Sequence, residues 1–258
     1  MILFPAIDLV GGSVVRLQRG ERSLMDVYSD DPVAVARDFA ARGAHWVHVV
    51  DLSAAFQEDE AAREANRRAI EGICGVGDIR VDAGGGVRCL ADLERLASAG
   101  ASRVALGTAL VNDPAFARQA VRDFGGLVVA DVAVRDGRVR VNGWRDGAGL
   151  LLDELLGELA GLGYRHLVLT DVARDGMQTG IDLGLYRHAA EVVGFPVVAS
   201  GGIAGLGDLR ALATAGGDVV EGAIVGRALY EGSFTLEEAL AVADEGSSRL
   251  EEDGGPAC

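Results

Sequence analysis

Short apolar runs rich in Val, Ile and Leu alternate along the chain with amphipathic segments whose apolar residues recur at helical spacing. The runs are continuously apolar, as expected for strands of a parallel sheet that is covered on both faces. Eight runs are predicted to be strands, at residues 2–7, 46–50, 78–82, 103–106, 127–132, 166–170, 197–199 and 219–225. Helical patterns follow most of them, at residues 32–41, 91–99, 114–123, 151–162, 183–193 and 206–215.

Eight strand-to-helix alternations without a break in composition predict an α/β protein, built as a single (β/α)8 TIM barrel over residues 1–245. A doubly wound open sheet is the rival fold, but it gives no reason for the two halves of the chain to resemble each other. Residues 246–258 are polar and Gly-rich, and they are predicted to be a disordered tail.

Two irregular segments interrupt the alternation. Residues 10–30 are predicted to be a long first loop, which carries Arg16 and Arg19. Residues 134–149 are predicted to form a hairpin, because Asp136-Gly137 suits a tight turn between short polar strands. Long loops after barrel strands are usually functional, so both segments are candidates to cover a site.

The two halves of the chain repeat one pattern of glycines. Gly85 and Gly107 of the first half correspond to Gly201 and Gly226 of the second. Each glycine stands where an apolar strand gives way to a helix, so that the backbone can approach a ligand closely and exposed N–H groups favour an anion. Two such places in matching positions predict a ligand that carries a phosphate at each end.

Composition narrows the class of protein. The chain has 258 residues, of which 49% are hydrophobic, and a formal net charge of −15, which argues against a nucleic-acid partner. Cys74, Cys89 and Cys258 show no metal or disulfide spacing. The chain shows no signal peptide and no apolar stretch near the ~20 residues that span a bilayer. We expect a soluble cytoplasmic protein without a membrane partner.

Four aspartates follow predicted strands: Asp8, Asp51, Asp131 and Asp171. A carboxylate in this position is also a routine helix cap. Asp8 and Asp131 end the first and fifth strands, which lie opposite each other in an eight-stranded ring, so their side chains could flank one substrate. Two carboxyl groups in different surroundings can serve as base and acid.

Other residues carry weaker signals. Arg16 could fold over the mouth of the barrel or be a solvated loop residue, and Trp144 could stack on a planar heterocycle or anchor its loop. Arg227 could contact a phosphate or cap a short helix, and Asp82 could pin the glycine turn or touch ligand. The histidines, His45, His48, His166 and His188, are expected to be core or surface residues without ligand spacing.

Seven motifs together give the chain a family resemblance. They are Pro5-Ala6-Ile7-Asp8-Leu9, Val14-Val15-Arg16-Leu17, His48-Val49-Val50-Asp51-Leu52, Gly84-Gly85-Gly86-Val87-Arg88, Thr170-Asp171-Val172-Ala173-Arg174-Asp175-Gly176, Ser200-Gly201-Gly202-Ile203 and Val225-Gly226-Arg227-Ala228-Leu229. In order over residues 1 to about 243, the chain resembles the phosphoribosyl isomerase A family of histidine biosynthesis, or ProFAR isomerase family.

The resemblance implies an enzyme that converts ProFAR to its aminoketose isomer PRFAR by an Amadori rearrangement, without a metal or cofactor. It implies Asp8 as the general base and Asp131 as the general acid, with Asp171 as a second candidate for the acid. We expect a monomer that binds a small bis-phosphorylated substrate. The predicted substrate-binding residues are Arg16, Asp51, Gly84, Gly85, Gly86, Arg88, Gly107, Thr108, Trp144, Thr170, Asp171, Ser200, Gly201, Gly202, Gly226 and Arg227.

Three alternatives stay open at this point. A subgroup of the family also isomerises phosphoribosylanthranilate, but Asn142 stands where that subgroup has an Arg, and Asn cannot grip a carboxylate as a fork. Gly84 also departs from the Ser that is usual there. The cyclase of the same pathway opens with Cys-Leu-Asp, which is absent here. A non-catalytic phosphosugar-binding barrel would have no use for two facing carboxylates.

Overall fold

The computed structural model describes residues 1–18 and 21–252. The strands in this part of the chain are β1 Ile2–Val10, β2 Ser13–Gln18, β3 Glu21–Ser29, β4 Trp46–Asp51, β5 Arg80–Gly84, β6 Arg103–Leu106, β7 Val128–Arg135, β8 Arg138–Val141, β9 Asp146–Leu151, β10 Leu167–Asp171, β11 Val197–Ser200 and β12 Val220–Val225. The helices are α1 Pro32–Ala41, α2 Leu52–Ala55, α3 Glu60–Cys74, α4 Leu90–Ala99, α5 Ala109–Asn112, α6 Pro114–Phe124, α7 Leu152–Leu162, α8 Leu183–Val193, α9 Leu206–Thr214, α10 Arg227–Tyr230 and α11 Leu236–Glu252.

Eight of the described strands close into a parallel barrel. Their order around the ring is β1, β4, β5, β6, β7, β10, β11 and β12, and β12 pairs in parallel with β1 to complete it. The (β/α)8 barrel and the eight predicted strands are therefore confirmed. The order places β1 opposite β7, and it places β5 and β6 on the other side of the ring from β11 and β12.

Local signals in the sequence fix where the helices begin and end. The Asp31 side chain accepts a hydrogen bond of 2.9 Å from the Ala34 N–H at the start of α1, and Pro32 takes the first helical position. Helix α8 ends at Gly194, which adopts a left-handed conformation that a residue with a Cβ rarely takes. The six predicted helices are each present, with bounds that differ by at most one residue.

The segment 10–30 differs from the predicted long loop. Strands β2 and β3 form an antiparallel hairpin there, and β2 pairs with β1, so that Val15 lies opposite Asp8. Burial of Val14 and Val15 stabilises this pairing. The pattern typical of buried parallel strands does not predict such an antiparallel hairpin. Arg19 lies outside the described residues.

The second irregular segment forms the predicted hairpin. Strands β7 and β8 pair around Asp136 and Gly137, and β9 adds a third antiparallel strand. At the end of the chain, α11 continues to Glu252 and so enters the segment 246–258 that was predicted to be a disordered tail. The helix contains one glycine, Gly246, and continues past it. Residues 253–258 lie outside the described part.

The core has two parts. The larger one lies between the barrel and the surrounding helices. The smaller one fills the barrel interior with Phe4, Ala6, Ala105, Val129, Val168, Val198 and Ile224. This apolar layer closes the barrel below the carboxyl ends of the strands, as is typical of the fold. Among the described helices, none combines the length and the apolar character that crossing a bilayer requires.

Charged and aromatic side chains plug the lower end of the barrel. The Arg103 guanidinium pairs with Glu221 and lies 4.8 Å from the centre of the Trp46 ring. His166 Nδ1 lies 3.0 Å from the second carboxylate oxygen of Glu221. Burial alone would raise the pKa of Glu221, but the hydrogen bond with His166 and the positive charge of Arg103 together lower it.

Replacing this carboxylate tests its contribution. We expect Glu221→Gln to lower the free energy of unfolding at pH 7 by about 3 kcal/mol, because it leaves the buried Arg103 without a counter-charge. Since the pKa of Glu221 is lower in the folded protein, its contribution is present above the ordinary Glu range and is lost as the pH falls through the lowered value. The difference from the parent should therefore shrink in acid.

Urea unfolding of the parent and of Glu221→Gln, at pH 7 and in acid, measures the loss of stability and its decrease at low pH. The matched control is Arg122→Gln, which breaks an exposed pair with Asp123 and should change nothing measurable. A Glu221→Gln protein as stable as the parent at pH 7 would contradict this account of the plug.

Candidate active site

A cavity opens among the carboxyl ends of the barrel strands. Thirteen of the predicted site residues line it: Asp8, Arg16, Gly85, Gly86, Arg88, Gly107, Thr108, Asp131, Trp144, Thr170, Ser200, Gly226 and Arg227. Five others do not: Asp51, Gly84, Asp171, Gly201 and Gly202. The ring order brings the end of each strand to one mouth, which is why residues far apart in the chain share this cavity.

The two glycine turns are built alike. Gly85 after β5 and Gly201 after β11 have φ angles of +94° and +91°, in the region that favours glycine. A Cβ on Gly85 would lie 2.4 Å from the Asp51 carbonyl oxygen, and one on Gly201 would lie 2.6 Å from the Asp171 carbonyl oxygen. Each turn therefore packs directly on the backbone of the preceding strand end, and only glycine allows that approach.

Asp51 and Asp171 support these turns from behind. The Asp51 side chain accepts hydrogen bonds from the Ala54 N–H at 2.9 Å and from Asn66 Nδ2 at 2.6 Å. Asp171 accepts from the Ala173 N–H at 3.1 Å and pairs with Arg174 at 3.1 Å. Both carboxylates are occupied in holding the loops, so the structure gives them a supporting position rather than a place in the cavity wall.

Gly84 also has a packing position. It is the last residue of β5, and a Cβ there would lie 3.0 Å from the Cβ of Ala105 on β6. The small residue lets the two strands lie close together below the glycine turn. The neighbouring Arg88 braces the same region, because its guanidinium donates hydrogen bonds to the carbonyl oxygens of Ala54, Ala55 and Gly86.

Asp8 is held by a buried arginine. Arg16 Nη1 donates a 2.6 Å hydrogen bond to Asp8 Oδ2, and Nη2 donates to the Ala6 carbonyl oxygen. The Tyr230 ring covers the guanidinium at 4.6 Å. Burial alone would lower the pKa of Arg16, but the negative charge of Asp8 raises it above the usual value. Arg16 is therefore a fixed cation in the site, and the solvated-loop alternative does not hold.

Asp131 faces the cavity from β7, opposite Asp8 in the ring. Desolvation inside the barrel raises its pKa to about 6, with a contribution from the like charge of Asp82 and against the opposing charge of His48. A carboxyl group with this pKa holds its proton over a wider pH range than an exposed one, so it can donate a proton.

A third carboxyl group, Asp175, lines the same cavity. Desolvation and the negative charge of Asp8 raise its pKa to about 6, although Arg16 opposes the shift. The strand-end pattern does not predict it, because it lies in the loop four positions after Asp171 rather than at a strand end. Its place within the Thr170-to-Gly176 motif was the signal that could have found it.

Two polar residues lie deeper in the barrel. His48 lines the cavity floor, and its Nδ1 lies 3.2 Å from Asp82 Oδ2 on the neighbouring strand. Both side chains are buried. His48 was expected to be a core or surface residue, and Asp82 was expected to pin the glycine turn or touch ligand. The structure instead pairs them beneath the cavity.

The hairpin after β7 forms one wall of the mouth. Trp144 lines the cavity at the turn between β8 and β9, and its carbonyl oxygen accepts two hydrogen bonds from Arg140, the shorter at 2.9 Å. Asn142 does not line the cavity. Its side chain donates a 2.8 Å hydrogen bond to Asp146, and its N–H donates to Thr108 Oγ1 at 2.9 Å.

Arg227 lies at the opposite rim. Its guanidinium pairs with Asp26 of the β2–β3 hairpin at 2.8 Å and with Glu231 at 2.5 Å. It also donates a 3.4 Å hydrogen bond to the Gly176 carbonyl oxygen. Arg227 thus connects the first hairpin with the loop after β10. Among the residues that the structure describes, no group of three or more His, Cys, Asp or Glu is placed to hold a metal ion.

Comparisons with known proteins point to one family. A family model described as histidine biosynthesis protein matches residues 2–235. Curated relatives named 1-(5-phosphoribosyl)-5-((5-phosphoribosylamino)methylideneamino)imidazole-4-carboxamide isomerase include one from Moorella thermoacetica, 45% identical over 95% of this chain and 100% of the relative. Others come from Rhodopseudomonas palustris, 43% identical over 95% and 98%, and Brucella ovis, 43% identical over 94% and 98%. The chain belongs to the histidine biosynthesis protein family.

Proposed function

We propose that the protein is an intramolecular aldose–ketose isomerase that converts ProFAR to PRFAR in histidine biosynthesis, as the names of its relatives suggest. One observation carries the proposal. Asp8 and Asp131 face one cavity from opposite strands, and a glycine turn lies on each side between them. This arrangement suits a sugar phosphate with a second phosphate at its far end, whose reacting carbons lie between the two carboxyl groups.

The reaction needs an acid and then a base. The acid protonates the ring oxygen of the ribose, the bond from that oxygen to C1 breaks, and the nitrogen on C1 supplies the electron pair that forms a Schiff base. The base removes the proton from C2, and the C2 electrons form an enolamine as the iminium nitrogen regains its pair. The enol O–H then loses its proton, C1 gains one, and the aminoketose results.

Asp8 suits the role of base. Arg16 binds one of its oxygens, which fixes the direction of the side chain and places a positive charge beside it. Asp8 also lines the cavity. The role of acid suits Asp131, as the sequence suggested, because desolvation raises its pKa to about 6. Asp175 has the same property and is the second candidate, in place of Asp171.

The geometry favours a single substrate. Recognition of phosphoribosylanthranilate would need a cation for its carboxylate on the loop after β7. The position in question holds Asn142, whose side chain is turned away to Asp146. The remaining expectations, a monomer in the cytoplasm without nucleic-acid or membrane partners, stay predictions.

Replacing either of the two facing carboxylates, Asp8 or Asp131, should slow turnover strongly. We expect Asp8→Asn and Asp131→Asn each to lower kcat by roughly 10²–10⁴, the usual contribution of a positioned acid or base. The assay follows PRFAR formation from ProFAR, with circular dichroism to check the fold. Parent-like turnover by both variants would contradict the assigned roles.

The two loop aspartates after β10 should behave differently. Asp175→Asn removes a carboxyl group from the cavity and should lower kcat by about 10² or more. Asp171→Asn removes a support of the Gly201 turn, so we expect a lower free energy of unfolding with a smaller effect on kcat. Turnover and urea unfolding are measured on both variants. If Asp171→Asn lost kcat and Asp175→Asn did not, Asp171 would return as the candidate acid.

The glycine turns can be tested against a matched glycine elsewhere. Gly85→Ala and Gly201→Ala each force a Cβ against backbone, whereas Gly163→Ala has a similar φ of +88° and open space around the Cβ. All three should lose about 1 kcal/mol of stability from the left-handed conformation, and Gly85→Ala and Gly201→Ala should lose more because their Cβ atoms meet backbone. Only the first two should also raise KM, by about tenfold or more, because charge-assisted hydrogen bonds contribute about 1.5–3 kcal/mol.

Steady-state kinetics and urea unfolding of the three variants separate these effects. The KM of Gly163→Ala is the reference, since that residue ends α7 and lies outside the cavity lining. An unchanged KM in both Gly85→Ala and Gly201→Ala would mean that the turns do not hold the phosphates.

A further inference from the structure

The floor of the cavity contains a histidine that the acid–base scheme leaves without a role. His48 is 6% exposed and contributes to the cavity lining. Its Nδ1 is occupied by Asp82, at 3.2 Å. Within residues 1–18 and 21–252, the other ring nitrogen, Nε2, has no hydrogen-bond partner, although it is not among the fully buried unpaired atoms. Nε2 is therefore the ring nitrogen that remains for a ligand in the cavity.

Asp82 stands behind the histidine and does not reach the cavity. The register of β4 and β5 places it directly opposite His48, and it is 1% exposed. One of its carboxylate oxygens contacts Nδ1, and the other, Oδ1, is buried without a partner. A buried carboxylate with an unpaired oxygen is costly unless a positive charge lies beside it. The adjacent imidazole can supply that charge only when both of its nitrogens are protonated.

The surroundings of His48 favour this cationic form. Burial by itself lowers the pKa of the imidazole, but the hydrogen bond with Asp82 and the negative charge of Asp82 raise it, and the negative charge of Asp8 adds to this. When the ring is protonated, Nε2 carries a hydrogen and is a donor. A donor with a positive charge then lies in the cavity floor near both proposed proton-transfer groups.

We propose that His48 is an imidazolium whose Nε2–H donates a hydrogen bond to the oxygen on C2 of the substrate sugar, and that Asp82 is the positioning residue that holds it. The proposal rests on the isomerase function. Electron density shifts to this oxygen when the enol O–H loses its proton and the C2–O bond becomes a carbonyl. A fixed donor aimed at it stabilises that step. His48 neither gains nor loses a proton, and no bond to it forms or breaks.

Three variants and one control test the assignment. His48→Gln removes the charge and Asp82→Asn removes the carboxylate, while Asp82→Glu keeps the carboxylate as the conservative variant. The control is His188→Gln, since His188 also contacts an aspartate, Asp153, at 2.7 Å, but on the exposed surface. Turnover of ProFAR gives kcat and KM, and nitrogen NMR of labelled protein reports the protonation of His48.

The expected results separate catalysis from structure. In the parent at pH 7, both His48 nitrogens should show imidazolium shifts, and Asp82→Asn should convert them to those of a neutral ring. We expect kcat to fall by about 10² in His48→Gln, the scale of losing one donor to a developing oxyanion, with KM changed much less. Asp82→Asn should show a similar fall, Asp82→Glu should recover part of it, and His188→Gln should match the parent.

Two outcomes would overturn the proposal. One is a neutral His48 ring in the parent, which needs no variant to fold. The other is a folded His48→Gln protein with the parent kcat while the parent converts ProFAR. A parent without turnover would instead overturn the isomerase function itself. The NMR result and the kcat ratio thus distinguish failure of the present proposal from failure of the function on which it rests.

Discussion

Burial of charge is the constraint on which the upper half of the barrel depends. Within the described residues, Asp8, Asp82, Asp131 and Asp175 share this region with Arg16 and His48. Two ion pairs, Arg16 with Asp8 and His48 with Asp82, account for two of the carboxylates. The other two groups have pKa values raised to about 6 and can stay protonated. Two carboxyl groups are thus paired with cations and two have raised pKa values, which places a candidate base and candidate acids in one cavity.

The half-barrel repeat places the same packing arrangement at both ends of the cavity. On each side a glycine with φ near +90° packs on a carbonyl oxygen of the preceding strand end, Asp51 in one half and Asp171 in the other. In both halves the aspartate side chain caps the following turn. The repeat thus preserves a supporting residue as well as the turn it supports. In the centre of the cavity, the repeat relates Asp8 to Asp131. Asp175, His48 and Asp82 have no counterpart of the same residue type in the other half.

Much of the fold could be predicted from the sequence because buried parallel strands and amphipathic helices leave strong periodic signals. The β2–β3 hairpin was not predicted, since its exposed Val27 and Leu24 and its charged residues do not resemble a buried strand. Within the candidate site, Asp8 and Asp131 could be found because they end apolar runs in the sequence, although β1 and β7 continue past them into the hairpins. The same signal also selected Asp51 and Asp171, because a cap and a ligand-facing carboxylate look alike in sequence. The pairing of His48 with Asp82 depends on strand register, which only the folded chain provides, and the place of Asp175 in the cavity depends on the path of its loop.

Two buried charge systems share the barrel interior. Arg103, His166 and Glu221 form one at the lower end, and His48 and Asp82 form the other. The strand register makes Asp82 and Arg103 neighbours on β5 and β6, so distance along the strands does not separate the two systems. Each charge has its own partner instead, Glu221 for Arg103 and His48 for Asp82. Since the pKa values beside the cavity depend on a few close charges, pairing Arg103 with Glu221 balances a charge that would otherwise shift them.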